Sequence, residues 1–410
     1  MKRTLILAAL VALATTAPGA SPSGDEQPLA APHPTHLPWR VWWARNLPAL
    51  APRGQLLARG RKTFWKRSRD RSLLLAQIDK AGDEGARALL GLGVLARPAD
   101  FFTLHANMKR PGREGQAALL ALGLYKGRAA VGNLEAVMRD TPAGRFLLGD
   151  MDRPAPLSHR AAAAMALGLS GLPQAYQALR IALETPDLPD GLGAAMLIAL
   201  SFSDVPSDAV IFERCLRSRH GGPLTHEAAA AALGRHAVLV PGARRLLARV
   251  LRRGTGGGSR GAAVGLWFEA ADEDDFLEGE ALKEAALHSK DPLTRLLALI
   301  SLAGRGDPRA EEAIEAALKE NGEARPYAIL ATGLLAKADP DSRARSMARL
   351  GRLEATDEAP VQAARLFLTD DYLTRPGRGR SLANLAGGSP TFSGADFLES
   401  ILDLAATLGH

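Results

Sequence analysis

A pair of short amphipathic helices recurs along this chain at a spacing of about 33 residues. The clearest copy is Asp291–Lys319, in which Asp291 and Pro292 have the N-cap and first-turn chemistry of a helix start. The apolar residues of its first helix fall on one face, at i, i+3, i+4 and i+7: Leu296, Leu299, Ile300 and Ala303. Neither helix can bury such a stripe alone, so each pair needs a neighbour on both sides. The repeat therefore predicts an all-α protein built of stacked helical hairpins.

A column of large apolar residues marks the end of each first helix. Its members are Leu167, Leu200, Leu233, Trp267, Leu302, Leu334 and Leu368. Successive members are 33, 33, 34, 35, 32 and 34 residues apart. Weaker copies around Leu92 and Leu122 bring the predicted number of hairpins to about nine. The 45 residues between Leu122 and Leu167 exceed one period, so we expect an insertion in Asp140–Pro156.

The helix start and the turn between the helices carry a motif. It consists of Asp291-Pro292-x-x-Arg295 and Gly306-Asp307-Pro308, with partial copies at His159-Arg160-Ala161-Ala162 and Asp339-Pro340. The motif resembles the HEAT family, in particular the short HEAT-like repeats of the phycobilisome-lyase type. The resemblance implies an α-α superhelix, a HEAT-like α-solenoid, over residues 84–385. It implies no particular activity, because many unrelated binding proteins share this repeat.

The chain termini differ in composition from the repeats. Residues 1–20 have the layout of a signal peptide, with Lys2 and Arg3 before an apolar run from Leu5 to Ala14. That apolar run is too short to form a permanent transmembrane helix. We therefore expect an exported protein, periplasmic or extracellular, without a transmembrane anchor. The remaining segments are a Pro-rich disordered tether (21–38), a Trp/Arg-rich N-terminal cap segment (39–83) and a C-terminal capping helix (386–410).

The N-terminal segment concentrates the positive charge of the chain. Residues 39–80 hold eleven Lys or Arg and two Asp, whereas residues 81–410 have a net charge of −2. Trp39, Trp42 and Trp43 suit a cap over the first repeat. The basic residues around Trp65 suit an anionic lipid or glycan, and the two roles are compatible. The candidates for binding an anionic partner are Arg59, Arg61, Lys62, Trp65, Lys66, Arg67, Arg69 and Arg71.

A second basic set lies on the second helices of the middle repeats. These helices usually line the concave face in repeats of this type, which makes their arginines candidates for a binding groove. The alternative is a solvated face. The candidate groove residues are Arg214, Arg217, Arg245, Arg249 and Arg252.

No constellation in the sequence predicts a reaction. Gly254–Gly261 lacks the Gly-Lys-Ser/Thr ending of a phosphate-binding loop and is interpreted as a flexible turn between repeats. His226 and His236 do not share a helix face, so we expect solvent-facing or capping histidines and no metal site. Cys215, the only cysteine, is expected to be an inert core thiol.

Three function classes follow from these observations. The first is a non-catalytic protein–protein interaction scaffold of the cell envelope or periplasm, with an unknown protein partner. The alternative is a membrane-surface or polyanion binder that acts through the basic, Trp-rich N-terminal segment. A lyase-like enzyme that uses the solenoid as a cradle is the third. No enzyme activity and no cofactor are expected, and no nucleic-acid partner, because the repeats are nearly neutral.

Overall fold

The computed structural model describes most of the chain between residues 68 and 364. The described residues are 68–79, 83–203, 205–218, 221–237, 240, 242–253, 256–268, 276–320, 324–354, 361 and 364. Within them the protein is all-helical, with 18 α-helices and no strand, as the repeat predicted. The predicted signal peptide, the predicted tether, residues 39–67 and the predicted C-terminal capping helix lie outside these residues.

The helices follow one another with short connections. They are α1 (Ser68–Gln77), α2 (Asp83–Leu95), α3 (Asp100–Asn107), α4 (Gly112–Tyr125), α5 (Arg128–Met138), α6 (Pro142–Leu147), α7 (Leu157–Ser170), α8 (Pro173–Ala182), α9 (Asp190–Leu200), α10 (Asp208–Arg217), α11 (Pro223–His236), α12 (Ala243–Arg253), α13 (Gly257–Gly265), α14 (Phe276–His288), α15 (Pro292–Gly304), α16 (Ala310–Lys319), α17 (Ala324–Ala338) and α18 (Arg343–Leu353). A 3₁₀ turn, Leu266–Phe268, continues α13.

In chain order, the described elements include eight first helices that alternate with eight second helices. The first helices are α2, α4, α7, α9, α11, α13, α15 and α17, and the second helices are α3, α5, α8, α10, α12, α14, α16 and α18. The described chain forms two compact units, one up to Asp208 and one from Ala209 onward. None of the described helices is long and apolar enough to cross a membrane.

In the first unit, successive first helices pack at glycines. A Cβ atom at Gly93 of α2 would collide with the backbone of Ala121 in α4. Gly123 of α4 approaches the Ala166 backbone in the same way, and Gly168 of α7 approaches Ala199. These contacts bring two helix backbones together where any side chain would hold them apart.

In the second unit, the same close packing corrects one interpretation of the sequence. Gly257 and Gly261 lie in helix α13 and do not form a flexible turn. A Cβ at either position would collide with the backbone of α11, at Pro223 and at Glu227. One turn further on, Gly234 meets Gly265. The glycines are therefore a helix face that packs backbone to backbone on the preceding first helix.

The apolar column is buried throughout the described chain. Leu92, Leu122, Leu167, Leu200, Leu233 and Leu302 are fully covered, Leu334 is 2% exposed and Trp267 is 9% exposed. Trp267 lies in the 3₁₀ turn after α13, and its indole occupies the space beside Gly304. Leu368 lies outside the described residues. Burial of the column is thus confirmed at every position that the structure describes.

The predicted insertion contains the short helix α6 and a structured loop. Thr141 caps α6 by accepting a hydrogen bond from the Gly144 N–H at 3.1 Å. Asp140 accepts bonds from Arg145 Nε at 2.7 Å and from the Ala155 N–H at 2.8 Å. The Arg145 hydrogen bond, which outweighs burial, holds the pKa of Asp140 below its usual value. This carboxylate fixes both ends of the insertion.

Removing a member of the apolar column should destabilise the repeats around it. We expect Leu233→Ala to lower the free energy of unfolding by about 2–5 kcal/mol, because it leaves a cavity at a fully buried site. Val210→Ala is the control, since Val210 is 69% exposed and its truncation should change stability by less than about 0.5 kcal/mol. Hydrogen exchange should rise in α11, α12 and α13 first. A uniform rise along the chain would contradict local stacking.

The glycine contacts give a second prediction. Gly261→Ala should destabilise by about 1–3 kcal/mol, because its methyl group meets the Glu227 backbone. Gly132→Ala is the matched control: Gly132 lies inside α5 with nothing within 4 Å of the added Cβ. That change should stabilise by about 0.5–1 kcal/mol through helix propensity. Urea unfolding of both variants checks the sign, and equal effects would argue against backbone contact at Gly261.

Candidate interaction surface

Helix α12 exposes a face made of arginines. It carries five arginines and no carboxylate, and it buries Ala243, Leu247, Ala248 and Leu251 on its other side. Arg245, Arg249 and Arg252 are exposed at i, i+4 and i+7, so they share one face, and Arg253 is exposed beside them. We call these four residues the arginine face. Within the part of the chain that the structure describes, Arg245, Arg249 and Arg253 have no carboxylate within 4.0 Å.

Arg252 connects the arginine face to the start of α14. Its Nη2 donates to the Leu277 carbonyl at 3.2 Å, and its Nε lies 3.8 Å from Glu284. Phe276 and Leu277 are 64% and 50% exposed, which is unusual for two adjacent large apolar residues. Arg309 contacts the same pair, with its guanidinium carbon 5.4 Å from the centre of the Phe276 ring. The arginine face therefore borders an exposed apolar pair.

The second helices after α12 are linked by ion pairs. Lys283 of α14 lies 2.6 Å from Glu312 of α16. Glu311 and Glu315 of α16 lie 2.7 and 2.9 Å from Arg345 and Arg349 of α18. The Arg345 hydrogen bond holds the pKa of Glu311 below its usual value. The three glutamates of α16 and two of the four arginines of α18 are thus paired within the chain.

The remaining candidate groove residues lie on α10. Arg214 and Arg217 are exposed, and Arg217 is 3.2 Å from Glu213 on the same helix. Leu216 of α10 and Val250 of α12 lie 3.7 and 3.5 Å from a Cβ built at Gly258, so the two second helices approach each other there. Cys215 is half-buried, and burial raises the pKa of its thiol, as an unreactive cysteine requires.

Only part of the N-terminal basic set can be placed. Arg71 lies in α1, where its Nε donates to the carboxylate of Asp100 at 2.9 Å. Asp100 is fully buried at the start of α3, so Arg71 neutralises an internal charge and is not a free surface cation. Arg69 is a residue of helix α1. The other candidates, Arg59, Arg61, Lys62, Trp65, Lys66 and Arg67, lie outside the described residues.

Buried aspartates at the start of second helices form ion pairs with arginines that the sequence did not predict. Asp208 is 1% exposed and accepts both Arg180 Nε at 2.7 Å and Arg180 Nη2 at 2.9 Å. Asp307, also 1% exposed, is held by Arg309 at 2.8 Å. Each of these aspartates can be recognised in the sequence as an aspartate before a helix. The arginine partners of Asp100 and Asp208 cannot be recognised, because they lie 29 and 28 residues away along the chain.

His226 and His236 have structural contacts. His226 Nε2 donates to the Ser218 carbonyl at 2.8 Å, just beyond α10, which is a capping role as expected. His236 is 1% exposed and packs edge-on against Phe212 at 5.1 Å between ring centres, so the expectation of a solvent-facing residue is wrong for it. Among the described residues, no group of three His, Cys, Asp or Glu is arranged to hold a metal ion.

Comparisons with known proteins leave the family open. No protein-family model matches the chain, and no curated protein matches it either. The HEAT resemblance therefore stays a prediction that rests on the repeat motif.

A buried histidine gives the fold a specific pH dependence. His159 is 5% exposed, and its Nε2 donates to the Arg110 carbonyl at 3.2 Å. Burial lowers its pKa below the ordinary value of 6.5, and the bond to the carbonyl only partly opposes this. The unfolded chain therefore binds more protons below about pH 6.5, so stability falls as the pH drops through that range.

We expect His159→Gln to flatten the dependence of unfolding free energy on pH between about pH 5 and 6.5. Glutamine keeps a donor for the Arg110 carbonyl and cannot titrate. Urea titrations at several pH values measure the slope. Parallel curves for the two proteins would show that another group sets the acid sensitivity.

Proposed function

We propose that this protein is a non-catalytic scaffold that binds another protein through its second helices. The observation that carries the proposal is the arginine face of α12 beside Phe276 and Leu277, exposed on a helix whose opposite side is buried. Arginine and aromatic residues are the types most enriched at protein interfaces. Folding alone does not account for an arginine face with so few ion pairs.

The architecture supports the same proposal. First helices carry the buried apolar column and the glycine contacts, whereas second helices α12 to α18 carry the exposed charges. Stacked pairs of this kind would make an α-solenoid of the HEAT type, whose long surface suits a binding partner. Location in the cell envelope or periplasm is part of the proposal and rests on the composition of residues 1–20. Binding of an anionic lipid or glycan through the basic residues from Arg59 to Arg69 remains a separate prediction.

Site-specific photo-crosslinking tests the scaffold proposal. A photoreactive amino acid replaces Arg249 in one variant and Ala129 in the control. Ala129 is exposed on α5, also a second helix, but lies outside the arginine face. We expect the variant at position 249 to capture a discrete protein in extracts of the native organism, and the control to capture none. The captured species should decrease as salt rises, because exposed charges are screened within about 8 Å at physiological ionic strength.

Two results would contradict the proposal. Capture of the same proteins at both positions would indicate non-specific binding. Absence of any adduct at position 249, in extracts where the control protein is intact and soluble, would show that the arginine face does not meet a protein partner.

A further inference from the structure

The ion pairs between α16 and α18 show how two helices of this protein recognise each other side by side. Glu311 and Glu315 are four residues apart on α16, and Arg345 and Arg349 are four residues apart on α18. The two pairs meet at 2.7 and 2.9 Å. Residues at i and i+4 lie one above the other on a helix, so two carboxylates at this spacing match two arginines at the same spacing.

Helix α12 has the same spacing on a different face. Leu247 and Leu251 of α12 are buried as Ser346 and Leu350 of α18 are, which aligns the two helices at an offset of three repeats. In this alignment Arg345 and Arg349 correspond to Leu246 and Val250. The arginines at 245, 249 and 252 occupy the next positions around the helix, which α18 fills with small residues: Ala344, Ala348 and Gly351. Arg245 and Arg249 therefore do not occupy the positions of the paired arginines of α18, and both are exposed, whereas Arg252 contacts α14.

We infer that the partner segment bound by α12 is an acidic amphipathic helix with two carboxylates one turn apart. Its carboxylates would pair with Arg245 and Arg249 as Glu311 and Glu315 pair with Arg345 and Arg349. A large apolar residue further along the same helix would lie against Phe276 and Leu277. This inference rests on the proposed function and names the class of partner.

The apolar pair favours a protein helix over a polyanion. Phe276 and Leu277 are 64% and 50% exposed next to Arg252, and a polyanion offers them less apolar surface to bury than a helix with large apolar side chains does. Arg245 and Arg252 of the arginine face are seven residues apart, or about 10 Å along the helix. Two to three turns of a docked helix are enough to reach from the carboxylates to the apolar pair.

Fluorescence anisotropy with two synthetic helical peptides tests the inference. The test peptide carries the pattern Leu-x3-Glu-x3-Glu-x3-Leu on an alanine-rich background, with a leucine at each end so that either orientation is covered. The control peptide has the same composition, but its two glutamates are at i and i+2, on different faces. We expect the full-length protein to bind the test peptide about tenfold more tightly than the control peptide.

Variants assign the binding to the arginine face. Arg245→Gln combined with Arg249→Gln should lower the affinity for the test peptide about tenfold. The matched control is Ala344→Glu combined with Ala348→Glu, which changes net charge by the same amount at the equivalent positions of α18 and should leave binding unchanged. Reversal with Arg245→Glu and Arg249→Glu should transfer preference to a peptide with lysines in place of the glutamates.

Each alternative binding partner of the arginine face predicts a different result, and each of these results would overturn the inference. Equal binding of the two peptides would mark a polyanion surface without helix specificity. Self-association that the double Gln variant abolishes would make a second copy the occupant. Binding that appears only after Asp272, Glu273, Asp274 and Asp275 are made neutral would assign the surface to the chain's own acidic segment. Adducts at position 249 together with equal peptide binding would leave the scaffold proposal standing and reject the acidic helix.

Discussion

Backbone contact between successive first helices is the constraint on which the rest of the structure depends. Gly123 on Ala166 in the first unit and Gly234 on Gly265 in the second show helix backbones so close that a β-carbon would not fit. Such contact leaves no room for adjustment, so the large apolar residues must fill the space on either side. The buried column beside these glycines, including Leu122 and Leu233, fills that space.

Close packing of the first helices places the second helices at the surface, where their side chains are free to carry charge. Lys283 with Glu312 and Glu311 with Arg345 then connect neighbouring repeats at 2.6 and 2.7 Å. Each of these pairs is exposed and is worth a fraction of a kcal/mol. The ion pair between Arg180 and buried Asp208 also connects neighbouring repeats, and solvent screens it less than it screens the exposed pairs. The buried column of the first helices and the ion pairs of the second helices thus both connect neighbouring repeats.

The sequence predicted the helix pairs and the burial of the column because both follow from periodic apolar spacing, which is local. It failed at Gly257 and Gly261, where composition indicated a turn, because the benefit of a glycine face comes from α11 across the repeat. A solvent-facing position was one of two expectations for His236, yet Phe212 from another helix covers it. Arg71 was grouped with the surface basic residues, although a buried aspartate holds it. Each miss involves a partner that sequence spacing does not reveal.

The arginine face is the part of the second unit that packing and pairing explain least. Like charges at i and i+4 repel by a few tenths of a kcal/mol per pair, and α12 has two such pairs, Arg245 with Arg249 and Arg249 with Arg253. In α18 the neighbouring glutamates offset a similar repulsion between Arg345 and Arg349. No described carboxylate does so for the pairs on α12. The cost is small enough for the fold to tolerate, and a partner that brings carboxylates to this face would remove it on binding, adding to the affinity.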